Sequence, residues 1–240
     1  MLLAATLLGA CTRSAPPAPH AVHYVVAWAR DGVVPAGDGW EVTTDLGYRV
    51  RVTRGYLTSY SMELVECPKA AWSVLSPPPA WAGHSAGTPN PAAIRPMQVE
   101  SLLATTDREI GAVTLAPQTY CQLHYLIARA GREAQGLPSD LDMVDASLHV
   151  DGTYRAPAAD APTPFAIHTA IANGGLFDHT GAAAPIRVDM GQGATRVTVR
   201  RHLGSLFDGV DFATTSDSVR ASRILASVVE HVEVELASVE

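Results

Sequence analysis

Apolar and polar residues alternate one for one along much of this chain, which is the period of a strand with one buried face. The alternation is cleanest between Gly47 and Cys67, GYRVRVTRGYLTSYSMELVEC. There Tyr48, Val50 and Val52 interleave with Arg49, Arg51 and Thr53, and Tyr60, Met62 and Leu64 interleave with Ser59, Ser61 and Glu63. The pattern predicts two strands in the middle of a sheet, the second ending on a cysteine. Similar runs predict strands at His23 to Arg30, Trp40 to Thr44, Ala146 to Val150, Pro164 to Ile171, Ile186 to Met190 and Thr195 to Arg200. Met97 to Thr105 reads as a strand or a helical turn. Ile110 to Leu115 and Tyr120 to Arg129 read as a hairpin over Ala116-Pro117-Gln118, with Cys121, Leu123, Tyr125 and Ile127 facing one way and Tyr120, Gln122 and His124 the other.

Helical spacing is confined to the C-terminal part. His202 to Asp208 predicts a turn or two, and Ser218 to Val232 a helix with Ile224, Val228 and Val232 on one stripe and Leu225 and Val229 beside it. Val232, Val234 and Leu236 also suit a final strand. Regular strands with turn signals between them argue a sandwich or barrel and not a parallel sheet. The expected fold is mostly β: an antiparallel β-sandwich with one C-terminal helix and long loops. The longest loop, Pro68 to Pro96, is proline-rich and holds Trp72, Trp81 and His84. Proline removes ladder donors, so this run stays out of a sheet interior.

Composition narrows the class of partner. Of 240 residues 47% are hydrophobic and 17% charged, with a formal net charge of -7, so the body is not disordered and presents no basic surface for nucleic acid. Residues 2–8 are a short apolar run, with the shape of a secretion leader and too brief to cross a membrane. Leu8-Gly9-Ala10-Cys11 resembles the lipobox of bacterial lipoproteins, although no Lys or Arg precedes it. The resemblance implies acylation of Cys11, a lipid anchor in the membrane and, with Thr12 following, the outer membrane. Residues 1–10 would then be the signal peptide, 11–22 a Pro-rich tether and 23–240 one sandwich domain.

With Cys11 acylated, two of the three cysteines remain, and Cys67 and Cys121 can close one bridge in an oxidising compartment. The alternative is two buried free thiols. Catalytic signatures are missing: there is no Gly-x-Ser-x-Gly, Walker A, His-Glu-x-x-His or Cys-x-x-Cys, and the chain reads as non-catalytic. The acidic pairs Asp140/Asp142 and Asp208/Asp211 read as turn formers. Nine histidines are the informative residues, because neutral imidazole ligates zinc, copper and nickel. His124, His149 and His168 fall at polar positions of strands. His84 and His179 lie in glycine-flanked loops, and with His168 they form the expected ligand set.

The order Gly47-Tyr48-x-Val50-x-Val52, Glu63-Leu64-Val65-x-Cys67 and Gly111-x-Val113-x-Leu115-x-Pro117-x-x-Tyr120-Cys121 resembles periplasmic β-sandwich lipoproteins related to the copper-binding proteins of methanobactin operons. Leu206-Phe207-Asp208-Gly209-Val210-Asp211-Phe212 resembles their closing segment. The resemblance implies a β-sandwich outside the cytoplasm and copper as the metal. Unlike that group, the chain has all its tryptophans before residue 82. Two functions are therefore expected: a lipid-anchored carrier or sensor of copper with a metal-handling partner protein, or a non-catalytic surface module that recognises sugar or protein through Trp72 and Trp81.

Overall fold

The computed structural model describes residues 20–67, 90–115, 118–178, 186–188 and 194–239. In chain order the elements are β1 (His20–Ala29), β2 (Val33–Ala36), β3 (Gly39–Thr43), β4 (Arg49–Glu66), β5 (Ala93–Ile94), β6 (Gln98–Ser101), β7 (Arg108–Leu115), β8 (Gln118–Ile127), β9 (Leu148–Arg155), β10 (Thr163–Thr169), β11 (Asn173–Asp178), β12 (Ile186–Val188), β13 (Ala194–His202), α1 (Asp217–Glu230) and β14 (Glu233–Val239). Among the described residues the fold is mostly β, in two sheets with one helix, consistent with a β-sandwich.

The stretch expected to be two strands is one strand of 18 residues, β4. Its inward face runs Val50, Val52, then Gly55 and Leu57, then Met62 and Leu64, so the parity of burial switches twice. The register against β9 shifts between Val52 and Arg54, and that against β8 between Ser59 and Ser61. Each shift is a β-bulge, which inserts a residue and exchanges the faces without ending the strand. β4 is the spine of the larger sheet: β9 and then β8 pair along one side of it, and β3, β6 and β5 along the other.

The smaller sheet has the order β14-β13-β1-β7. One strand pair departs from the antiparallel pattern: β1 and β13 run parallel, with Ala21 opposite Ala194 and Ala29 opposite His202. The expected hairpin of residues 110–129 is corrected. β7 pairs with β1 and β8 with β4, so the chain crosses from one sheet to the other. β1 starts at His20, three residues before the expected domain boundary, and His202 to Asp208 forms successive turns and no helix. The helical and strand readings of the C-terminus are both realised, as α1 and then β14.

Valines 22 and 26 with Tyr24 from β1, and Val197 and Val199 from β13, meet Leu57, Met62 and Leu64 of β4 and Leu123 and Ile127 of β8 in one core. α1 buries Ala221, Ile224, Leu225 and Val228, the spacing of one helical face, and packs on β10 and β11. Burying each of its larger apolar side chains stabilises the fold by roughly 1.5–3 kcal/mol. A smaller cluster of Val99, Ala130, Ala134, Met143 and Ala146, with Tyr56 packed against it, lies under the connection between β8 and β9.

Within the main core one charged group bridges the sheets. Arg201 of β13 is fully buried and donates to both carboxylate oxygens of Glu100 on β6, at 2.6 and 3.1 Å. It also donates to Tyr125 Oη at 3.1 Å, and its guanidinium lies 4.0 Å from the centre of the Trp28 ring. Ser59 donates to Glu100, and its hydroxyl meets Tyr125 Oη at 2.7 Å. Burial opposes the Arg201 charge, but Glu100 outweighs it and the guanidinium is held more firmly protonated than usual.

Candidate functional site

The expected bridge between Cys67 and Cys121 is formed. Cys67 follows β4 directly, Cys121 lies in β8, and the two are joined with Cα atoms 4.8 Å apart. The register between the strands shifts between Val65 and Glu66, so Val65 faces Gln122 while Glu66 faces Tyr120. Cys121 is the extra residue of that bulge. The face assignment for this part of β8 is therefore corrected: Tyr120 is buried and Cys121 only half-buried, while Leu123, Tyr125 and Ile127 do point inward as expected.

Cys11, His84, His179, Trp72 and Trp81 lie outside the described residues. His168, the remaining member of the expected ligand set, stands exposed on β10. Opposite it, in register across the antiparallel ladder, is His149 of β9. Directly opposed residues on one face of such a pair have β-carbons about 4.5–5.5 Å apart, close enough for the two rings to meet. The two Nδ1 atoms are 3.3 Å apart, with the rings 5.5 Å centre to centre and inclined at 65°.

His149 is only 6% exposed, because Leu148 and Val150 anchor β9 in the core and Tyr56 of β4 stands next to it in the same row. Its second nitrogen, Nε2, is 2.9 Å from Asp151 Oδ1, aligned too poorly for a good hydrogen bond. That carboxylate, two residues along the same strand face, is held by Arg54 through a bond from Nε at 2.8 Å and a second, shorter one from the other arm of the guanidinium. The β4 bulge brings Arg54 opposite Asp151. A β-carbon at Gly152 would lie 2.0 Å from the Arg51 carbonyl oxygen, so the close approach of β9 to β4 at this point requires glycine. Burial tends to raise the Asp151 carboxyl, but its contacts with His149 and Arg54 prevail and lower it, so the group stays ionised. Arg54 reaches on to Asp140 at 3.3 Å, and Tyr56 Oη donates to the same carboxylate at 3.3 Å.

An ionised Asp151 beside Nε2 favours the tautomer of His149 with its proton there and the lone pair of Nδ1 directed at His168. In that tautomer His168 Nδ1 donates to His149 Nδ1, and the ring nitrogens that meet here are the kind that ligate a metal cation.

The other described histidines do not converge. His20 bonds Thr195 at 2.9 Å, His23 meets Glu109 at 2.9 Å, His202 lies 3.6 Å from Glu233, and His231 Nδ1 donates to the Ser227 carbonyl at 2.9 Å. Among the described residues no group of three or more His, Cys, Asp or Glu side chains is arranged to hold a metal ion. His149 and Asp151 are what sequence reasoning missed as a site. Their signal was the polar pair at i and i+2 on a strand, but the register that sets His149 against His168 is not visible before the strands pair. Asp211 is the turn former expected: it accepts from the backbone of Ala213 at 2.9 Å, from Thr214 and from Tyr48 Oη at 2.6 Å. Among the described residues no helix is long and apolar enough to cross a membrane. No family model, no curated protein and no solved structure matches this chain.

Proposed function

We propose that this chain is an exported, lipid-tethered, non-catalytic domain that binds a transition metal ion through His149 and His168. The observation that carries the reading is the 3.3 Å separation of the two Nδ1 atoms, one of them backed by Asp151 through the far nitrogen of its ring. Bonds of about 2.0–2.1 Å at a tetrahedral ion set two imidazole nitrogens about 3.3–3.4 Å apart, whereas neighbouring positions of a square arrangement bring them to about 2.9 Å. The separation suits zinc(II) or copper(I) better than copper(II). The two nitrogens are now in hydrogen-bond contact, so the exposed His168 ring has to turn its lone pair off the line between them to reach a shared ion. The bridge between Cys67 and Cys121 supports an oxidising compartment, and the lipobox-like Leu8-Gly9-Ala10-Cys11 supports the tether.

Equilibrium competition with a chromophoric chelator, using zinc(II) and, under reducing and oxygen-free conditions, copper(I), tests the site. His149→Ala and His168→Ala should each weaken binding at least tenfold, and affinities equal to that of the parent would end the metal reading. The tether has its own test. Cys11→Ala should release the protein from the membrane fraction, and continued sedimentation with membranes would remove that part of the reading.

A further inference from the structure

The histidine pair supplies two ligands, and a structural tetrahedral ion takes four. Among the described residues no third His, Cys, Asp or Glu is in place to join them. The position of the pair bears on what completes the set. Among the described residues β10 pairs only with β9, and no described strand lies on its other edge. Along its outward face His168 is flanked by Ala166 and followed beyond the strand by Ala170, all three exposed. No residue of β10 other than His168 is titratable, and neither flanking alanine projects past its β-carbon.

We infer that two copies of this chain share one metal ion, with His149 and His168 of each copy providing its four nitrogen ligands about a two-fold axis through the ion. This rests on the metal reading of the pair. A two-fold axis makes the patch self-complementary, so the same two histidines serve twice and the coordination sphere closes without a further residue type. Along the β10 edge itself the alanines on either side of His168 put no charge or long side chain against the twin strand. Each Asp151 backs its own His149 from behind and stays with its Arg54, leaving the ion bound by imidazole alone.

Sedimentation velocity of the full-length protein carrying Cys11→Ser, with and without zinc chloride, tests the inference. The protein should be monomeric after EDTA treatment and dimeric with zinc, saturating at one ion per two chains. Ala166→Arg places a charge and a long side chain against the twin strand. It should bind one zinc ion per chain, at least tenfold more weakly than the parent, and remain monomeric. His168→Ala should abolish the zinc-dependent dimer. A parent protein that binds one zinc per chain and stays monomeric overturns the shared site while leaving the metal reading intact. A dimer that persists in EDTA or in His168→Ala overturns it as well. No zinc binding by the parent removes both.

Discussion

Arg201 and Arg54 each hold a carboxylate with two arms, yet they stand in opposite surroundings. Around Arg201 the charge is met on several sides: Glu100 takes two bonds, the Tyr125 and Ser59 hydroxyls stand beside them, and Trp28 covers the guanidinium. Neither Arg201 nor Glu100 is left without a partner, although Nε1 of the covering Trp28 is buried with no hydrogen bond among the described residues. Around Arg54 the chain of contacts runs outward through Asp151 and His149 to His168 on the surface, and it ends in a ring nitrogen shared with one neighbour. A saturated buried pair fixes how the two sheets meet. An unsaturated pair at a sheet edge leaves chemistry to do. The same residue types thus join the two sheets in one place and reach the surface in the other, and burial with completeness of bonding is what separates them.

The contrast breaks most visibly from the buried side. Glu100→Ala strands the Arg201 charge in the core and should cost about 3–5 kcal/mol in urea denaturation. Replacing both, as Glu100→Leu with Arg201→Met, should recover most of that loss; no recovery would mean that the pair contributes more than its own satisfaction. Next in size, Cys67→Ser with Cys121→Ser opens a loop spanning 54 residues and should cost about 2–4 kcal/mol, with two thiols titrating only in the reduced, denatured parent.

On the outer side, Asp151→Asn should barely change the urea midpoint, yet lower metal affinity about 10–100-fold by removing the charge that orients His149. A stability loss as large as that of Glu100→Ala would erase the distinction between the two arginines. The smallest effect is expected at Asp211, whose carboxyl is held down to about 2 by the Thr214 hydroxyl first and Tyr48 next. A carboxyl depressed in the folded state stabilises above its unfolded value and loses that contribution as pH falls through the folded one. The urea midpoint should therefore decline between about pH 4 and pH 2, and Asp211→Asn should flatten that decline.

The larger sheet was well marked in the sequence, because Val50, Val52, Met62 and Leu64 alternate on a buried face. Where the reading broke β4 in two, at residues 54–58, the alternation has just changed parity, and a bulge and a strand end look alike until a partner strand is present. The parallel pairing of β1 with β13 joins segments more than 170 residues apart, and no local pattern encodes such a partner. The supposed hairpin at 110–129 failed for a related reason: two strands separated by a short turn signal can belong to different sheets. His168 was legible as a polar strand residue. Its pairing with His149 was not, since it depends on the register of β9 against β10.

β1 gains β7 as a neighbour once about half of the chain exists, but its other edge must wait for β13, which ends at His202. A polypeptide delivered from its N-terminus therefore carries an unfinished sheet edge through most of its emergence. β4, β8 and their cysteines are already present and can pair meanwhile. Long-range strand pairing is slow, and an uncovered edge is open to pairing with other chains, so the interval before residue 202 arrives is when this protein is most exposed to misassembly. The order of the strands in the chain, as much as their packing, sets how long that interval lasts.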